Sequence, residues 1–279
     1  MVFKHFSKNG QILSIADAVI PLQNIEYSYG FGIYETLRVR GGIVYFVKQH
    51  FHRLLNSAII LGIEHEFSEK DIAIYLSDLL KIEKLEDCNI KMLLIGGKTR
   101  EDSLLFILPL SPLFPNRKFY TNGVKTITYK YERLLPQAKT LNMLGSYLAY
   151  KKANDKVCYD ALLIDRNNYI TEGTRTNFFT IKNNILYTQY DDKILNGVTR
   201  ETVNYVAKNC GFEIVKKNIT LEELQNYDGA FLTSTSSKIV PIKQIDNFEF
   251  PEIAESIKLL IQEYDKFLKN SKGIFNEAK

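Results

Sequence analysis

Lys139 is the first residue of this chain whose setting suggests chemistry. It stands in QAKTLNML, between a stretch of strand character and one of helix character, with Ala138, Leu141 and Met143 around it. A lysine is ordinarily a solvated surface charge, but apolar neighbours strip water from an ammonium, and desolvation is what turns a lysine into a nucleophile. Glu172 follows Tyr169-Ile-Thr and precedes Gly173, which makes it either a turn carboxylate or a fixed acidic partner for a nitrogen base. Two hydroxyl-rich segments add a third element. LTSTSSK, from Leu232 to Lys238, places five consecutive Ser and Thr between apolar stretches, a composition poor for packing but suited to phosphate oxygens. NGVTR, from Asn196 to Arg200, opens a helix whose first N–H groups can bind an anion. Each segment alone also reads as a polar turn or an ordinary helix cap, and two in one chain favour a phosphate. A phosphate cradle, a half-buried lysine and one carboxylate are what a pyridoxal phosphate site requires.

These residues need elements to hold them. YETLRVR, from Tyr34 to Arg40, then Gly41-Gly42 and IVYFV, predict a hairpin with a primed turn. Strand alternation puts Tyr34, Thr36, Arg38 and Arg40 on one face and Glu35, Leu37 and Val39 on the other. The first face is polar enough to face water or to line a site. Phe51, Leu54, Leu55, Ala58 and Leu61 recur at helical spacing and stop at Gly62. A second helix is expected from Asp71 to about Ile82, with Ser68 and Asp71 as a capping pair, and strands at 90–95 and 103–110. In the second half the pattern predicts strands at 124–131, 161–165 and 229–234. Helices are expected over about 142–154, through Val203 to Cys210, and from Pro251 through Leu268. Strands gather in clusters instead of alternating strictly with helices, which predicts an α+β fold. SPLFPNRKF is the natural linker, giving an N-terminal lobe over residues 1–112, a linker over 113–120 and a C-terminal lobe over 121–279 that carries Lys139.

Several classes are excluded on the way. Charged residues are 24% and hydrophobic ones 45% of 279 residues, the balance of a globular chain, and a net charge of +4 without a basic block does not call for nucleic acid. Cys88, Cys158 and Cys210 lie far apart and match no metal spacing, so a reduced, cytoplasmic compartment is expected. No apolar stretch reaches the ~20 residues of a membrane helix, and the start, MVFKHFSKNG, has no signal-peptide core. His50 and His52 are two apart on a predicted helix and point to different faces, which suits a metal poorly. GxSxG, P-loop and GxGxxG motifs are missing.

With these residues in view, the chain resembles the class IV, or fold type IV, aminotransferases, which include branched-chain and D-amino acid aminotransferases and aminodeoxychorismate lyases. Six segments carry the resemblance in order: YGFGIYETLRV, HFHRLLNSA, AKTLNMLGSYLA, ALLIDRNNYITEGTRTNFF, NGVTRETV and FLTSTSSKIVPI. It implies two α/β lobes with pyridoxal 5'-phosphate at their interface, in a homodimer whose partner loop closes each site. Lys139 is then similar to the lysine that bonds the cofactor and Glu172 to the partner of its pyridine nitrogen. Arg53 is similar to a phosphate-binding arginine, with Val198 and Thr199 at a helix start and Thr235 completing the cradle. Substrate-binding roles fall to Tyr29, Tyr34, Thr36, Arg100 and Ser236.

The resemblance divides on substrate. Branched-chain enzymes usually read FEG where this chain has Tyr34-Glu35-Thr36, and they usually place a tyrosine near Met143. Thr36 matches a functional threonine of aminodeoxychorismate lyases, whereas EGTRTN and TSTSS look like transaminases. Tyr34 matches the tyrosine with which D-amino acid aminotransferases grip the substrate carboxylate. Arg100 stands at the offset of the arginine that assists it from the partner subunit, with Asp102 in the place of a histidine. In isolation, Arg100 is also a solvated charge in a polar loop. The expectation is a transaminase acting on α-amino and α-keto acids, with a lean to D-amino acids. Aminodeoxychorismate lyase is the alternative, and a non-catalytic pyridoxal phosphate carrier a third reading.

Overall fold

The computed structural model describes residues 3–20, 23, 25–111 and 115–271. The chain separates into two units. The first takes the described residues up to 111 together with Ala138–Asn142, and the second takes 115–137 with Met143–Asn270. The segment that holds Lys139 therefore packs with the first unit, whereas the sequence placed it in the C-terminal lobe. Leu113 and Phe114, the start of the expected linker, lie outside the described residues, and a short helix at Arg117–Asn122 occupies most of its remainder.

In the first unit β1 (His5–Lys8), β2 (Gln11–Ser14), β3 (Gly32–Arg40), β4 (Ile43–Val44), β5 (Cys88–Ile95) and β6 (Leu104–Leu110) form one sheet in the order β2-β1-β6-β5-β3-β4. All its pairings are antiparallel. The expected hairpin is present: Gly41 and Gly42 both take positive φ, and Val39 pairs with Val44. Its second strand is only two residues long, because Phe46 turns left-handed and the chain enters a helix at Val47. Among the described residues the α-helices of this unit are α1 (Ile25–Ser28), α2 (Val47–Leu61) and α3 (Glu69–Glu83). The last starts at Glu69 with a complete Ser68–Asp71 capping box, two residues earlier than expected. Leu54, Ala58, Ile72, Leu76 and Leu79 of the two longer helices join Ile33, Leu37, Ile90 and Met92 of the sheet in one core. Fully burying each such Leu or Ile contributes about 1.5–3 kcal/mol.

In the second unit the strands are β7 (Val124–Lys130), β8 (Asp160–Ile164), β9 (Ile170–Gly173), β10 (Asn177–Lys182), β11 (Ile185–Thr188), β12 (Glu213–Lys216), β13 (Gly229–Ser234), β14 (Lys238–Ile245) and β15 (Phe248–Glu249). Their order is β12-β11-β10-β13-β14-β7-β8-β9, with β15 beside β14. Because β9 also pairs with β10, strands 10, 13, 14, 7, 8 and 9 close into a ring. The helices are α4 (Arg117–Asn122), α5 (Leu144–Asp155), α6 (Val198–Asn209) and α7 (Glu255–Asn270). Pro251 does not open α7, which begins four residues later and buries Ile257, Leu260, Tyr264 and Leu268. The inward side of α5 is lined by Ala149 and Ala153, small residues that let it lie close on Ile127, Ala161 and Leu163. Among the described residues no helix is long and apolar enough to cross a membrane.

Candidate active site

Each unit carries one set of the expected residues. In the first, Lys139 lies on a short segment pinned to the start of β3. Tyr34 N donates to the Lys139 carbonyl at 2.9 Å, Leu141 N to the Gly32 carbonyl at 2.8 Å, and Ile33 bridges Thr140. The close approach leaves little room at Gly32, where a Cβ would meet Leu141 Cδ1 at 2.7 Å and the Leu94 carbonyl at 3.0 Å. Lys139 Nζ sits 4.4 Å from the centre of the Tyr34 ring, and among the described residues it has no carboxylate partner. Thr36 lies on the same face of β3 as Tyr34. Lys91 shares that face from β5, opposite Thr36, with its Nζ 5.2 Å from the centre of the same ring. No local sequence signal marks Lys91, since only the β3–β5 register brings it there.

Behind this face runs a buried polar chain. Lys139 N donates to Ser57 Oγ at 3.1 Å, and Ser57 Oγ donates to the Arg53 carbonyl at 2.9 Å. Arg53 donates from Nε and Nη2 to the two oxygens of Glu35, each at 2.7 Å, and His50 Nδ1 meets Glu35 Oε2 at 2.7 Å. Glu35 and His50 are fully buried. Burial alone would raise the Glu35 carboxyl, but the Arg53 charge, its hydrogen bonds and His50 bring it down to about 2. Burial, opposed by Glu35, holds His50 below its ordinary value. The alternation assigned Glu35 to the apolar face, and it does point there. Its role was hidden because its partners, at positions 50 and 53, are one helical turn apart on α2.

Among the described residues, Tyr29 and Arg100 make no side-chain hydrogen bond or ion pair with this set. Tyr29 is 79% exposed. Arg100 lies on an exposed loop with Glu66 Oε1 at 3.8 Å, while Asp102 Oδ2 accepts from Thr99 N and Oγ1 at 3.2 and 3.0 Å. Asp102 is thus committed to its own turn.

The second set gathers around Glu172, on β9. Its Oε1 accepts from Arg133 Nη1 at 2.8 Å, and its Oε2 from Leu195 N at 3.2 Å and Asn177 Nδ2 at 3.4 Å. Asn177 also donates to the Leu195 carbonyl at 2.8 Å. Three residues on, α6 opens at Val198 and Thr199 with Gly197 as its cap, so no cap side chain covers the first-turn amides. A Cβ at Gly197 would come within 2.1 Å of Asn177 Oδ1. Thr235 and Ser236 form the turn between β13 and β14, where the hydroxyls of Ser234 and Ser237 lie 2.5 Å apart. Thr233, 1% exposed, pairs with Asn177 across the sheet, and its buried Oγ1 meets no partner among the described residues. Arg133 and Asn177 were not singled out by the sequence reading. Arg133 is 39 residues from its carboxylate, beyond any local signal.

Residues 32–245 match a family model described as amino-transferase class IV. The chain belongs to the class IV aminotransferases. A D-alanine aminotransferase from Bacillus licheniformis is 31% identical over 247 residues, covering 85% of this chain and 87% of its own length. A Methanocaldococcus jannaschii protein assigned as a branched-chain-amino-acid aminotransferase is also 31% identical, over 271 residues, with 90% and 92% covered. Among solved structures, a branched-chain aminotransferase from Thermoproteus uzoniensis with norvaline superposes with a TM-score of 0.87 at 22% identity, covering 97% of each chain. A Legionella pneumophila protein assigned as 4-amino-4-deoxychorismate lyase reaches 0.81 at 28% identity, with 90% and 97% covered. The fold type IV architecture expected from the motifs is that of these class IV aminotransferases, a family of enzymes that typically use pyridoxal phosphate.

Proposed function

We propose that this class IV aminotransferase binds pyridoxal 5'-phosphate and moves an amino group between an α-amino acid and an α-keto acid, with a lean to D-amino acids. The observation that carries the reading is the amine of Lys139, on a segment held to β3 by two backbone hydrogen bonds, lying over Tyr34 and lacking a carboxylate among the described residues. The set of donors, taken from each unit by itself, is of the kind the cofactor needs. It comprises an amine, a carboxylate held by Arg133 and Leu195 N, uncapped amides at the start of α6, hydroxyls at Thr235 and Ser236, and the orphaned Thr233 Oγ1. When bound, pyridoxal phosphate supplies an electron-withdrawing ring that makes a substrate Cα–H removable as a proton.

The residues divide that work. Lys139 Nζ would hold the cofactor covalently and, as a free amine, would serve as the base for the substrate Cα proton. Glu172, oriented by Arg133, Asn177 and Leu195 N, would be the acidic partner of the ring nitrogen. Thr199 N and Thr235 in the second unit and Arg53 in the first would each be a phosphate partner, and Glu35 sets the orientation of Arg53 by clamping its Nε edge. Tyr34 and Thr36 line the substrate side, with Tyr29, Ser236 and Arg100 assigned to substrate by the family resemblance. The lean to D-amino acids rests on Tyr34 and on the D-alanine aminotransferase similarity. Free thiols at Cys88, Cys158 and Cys210 support a cytoplasmic setting, and a homodimer follows from the same family reading.

The purified protein should be yellow, and borohydride should fix the cofactor on Lys139, whereas a peptide map placing the adduct on another lysine would overturn the assignment. D-Ala, D-Glu and L-Leu with pyruvate or 2-oxoglutarate then decide the substrate. Release of pyruvate from aminodeoxychorismate without a keto acid acceptor would favour the lyase reading, which Thr36 and the Legionella structure support. A yellow protein that turns over nothing would be a carrier.

A further inference from the structure

Asp160, the first residue of β8, has no part in the site as described, yet it is among the most completely buried carboxylates of the chain, at 1% exposure. Its Oδ1 accepts from Ala161 N at 2.8 Å, Thr174 N at 3.2 Å and Thr174 Oγ1 at 2.5 Å, and its Oδ2 from Thr176 Oγ1 at 2.9 Å. Three of these donors belong to the turn from Gly173 to Thr176, which Gly173 N closes on the Thr176 carbonyl at 2.8 Å. Space under the turn is filled by this network. A Cβ at Gly173 would lie 2.0 Å from Thr176 Oγ1 and 2.6 Å from Asp160 Oδ2. At the tip Arg175 stacks on the Tyr150 ring at 3.9 Å.

The turn joins β9 to β10, and these strands meet at one residue pair, Glu172 with Asn177. That pair closes the ring of strands, and its two side chains share the Glu172 carboxylate contact. A single cross-strand pair has little ladder of its own to set its register. We propose that Asp160 is a positioning residue for Glu172: by gathering Thr174 N, Thr174 Oγ1 and Thr176 Oγ1 beneath the turn, it sets the Glu172–Asn177 pair and hence the carboxylate's aim. This rests on the reading of Glu172 as the partner of the cofactor's ring nitrogen. Desolvation raises the Asp160 carboxyl, and hydroxyl donors that can rotate suit a group so placed.

The test uses the cofactor-loaded enzyme and reads the pH midpoint of its visible absorbance, which reports the electronic state of the ring, alongside thermal stability and kinetics. Glu172→Gln is the reference and should move the midpoint. Asp160→Asn should move it in the same direction and lower kcat by about tenfold with little change in KM, the pattern of a lost transition-state interaction. In the Glu172→Gln background Asp160→Asn should add nothing further, which a general loss of packing would not reproduce. Thr176→Val removes one donor and should give a smaller shift in the same direction, and Thr176→Ser should restore the wild-type midpoint. If Asp160→Asn does not fold, the two Thr176 variants decide by the same readouts. An unmoved midpoint in folded Asp160→Asn or Thr176→Val, or additive effects in the double variant, would overturn the inference. A Glu172→Gln protein with an unmoved midpoint would instead sink the reading of Glu172 itself, and the inference with it.

Discussion

Replacing Glu35 by glutamine probes the polar chain that anchors Arg53, and its effect can be worked out from the geometry. Glu35 is fully buried and accepts three hydrogen bonds of 2.7 Å, two from Arg53 and one from His50. Against burial, which raises it, Arg53 and His50 bring its carboxyl from an ordinary 4.5 to about 2, a difference worth about 3 kcal/mol of folding free energy. Because the folded value lies below the unfolded one, that contribution is complete above pH 4.5 and is lost as pH falls toward 2. His50, lowered mainly by burial, also stabilises the fold at high pH and begins to lose its contribution below 6.5. Glu35→Gln leaves a guanidinium, 10% exposed, without its anion. Breaking one side of a buried pair costs about 3–5 kcal/mol, so the variant should be less stable by that amount at pH 7. The gap should narrow by about 2 kcal/mol at pH 3, where most of the wild-type carboxylate advantage has gone. Hydrogen exchange of the β3 and α2 amides at both pH values isolates this unit from the rest of the chain. Protection within 1 kcal/mol of wild type at pH 7, or an equal gap at both pH values, would refute the reasoning.

Other perturbations separate the roles of the remaining residues. Lys139→Ala should retain the phosphate end of the cofactor but lose turnover by several orders of magnitude, because nucleophile and base vanish together, and single-turnover kinetics checks it. Thr235→Ala should instead weaken cofactor retention, measured by dialysis, by roughly 1 kcal/mol for one hydroxyl contact. Gly197→Ala drives a Cβ to within 2.1 Å of Asn177 Oδ1, so the cap must shift and the variant should bind cofactor more weakly while melting close to wild type. Arg100→Ala should raise KM for amino acids by a factor corresponding to about 2–5 kcal/mol if the guanidinium binds the substrate carboxylate, and should spare simple primary amines. Activity confined to L-Leu and unchanged by that substitution would move the enzyme to the branched-chain group.

Much of this protein is legible without coordinates because the signals are local. The Ser68–Asp71 capping box, the Gly41-Gly42 turn and the helical spacing from Phe51 to Leu61 each depend on residues within a turn or two, and each forms as expected. The order of motifs from about Tyr29 to Asp246 likewise sufficed to indicate the family. What failed in the linear reading were assignments that depend on distance in the chain. Pro251 looked like a helix start, but α7 waits for Glu255, because proline favours a first turn without enforcing one. Lys139 looked like part of the second lobe, yet β3 takes its segment as a neighbour by hydrogen bonds across about a hundred positions. The same holds for the residues that hold the functional groups. Glu35 is chosen as a buried anion by His50 and Arg53, Glu172 is held by Arg133, and the turn after it is held by Asp160. A residue's type and its near neighbours determine which chemistry it can perform, and those were written in the sequence. Which partner desolvates it, neutralises it or sets its direction depends on groups far along the chain, and only the tertiary structure decided that.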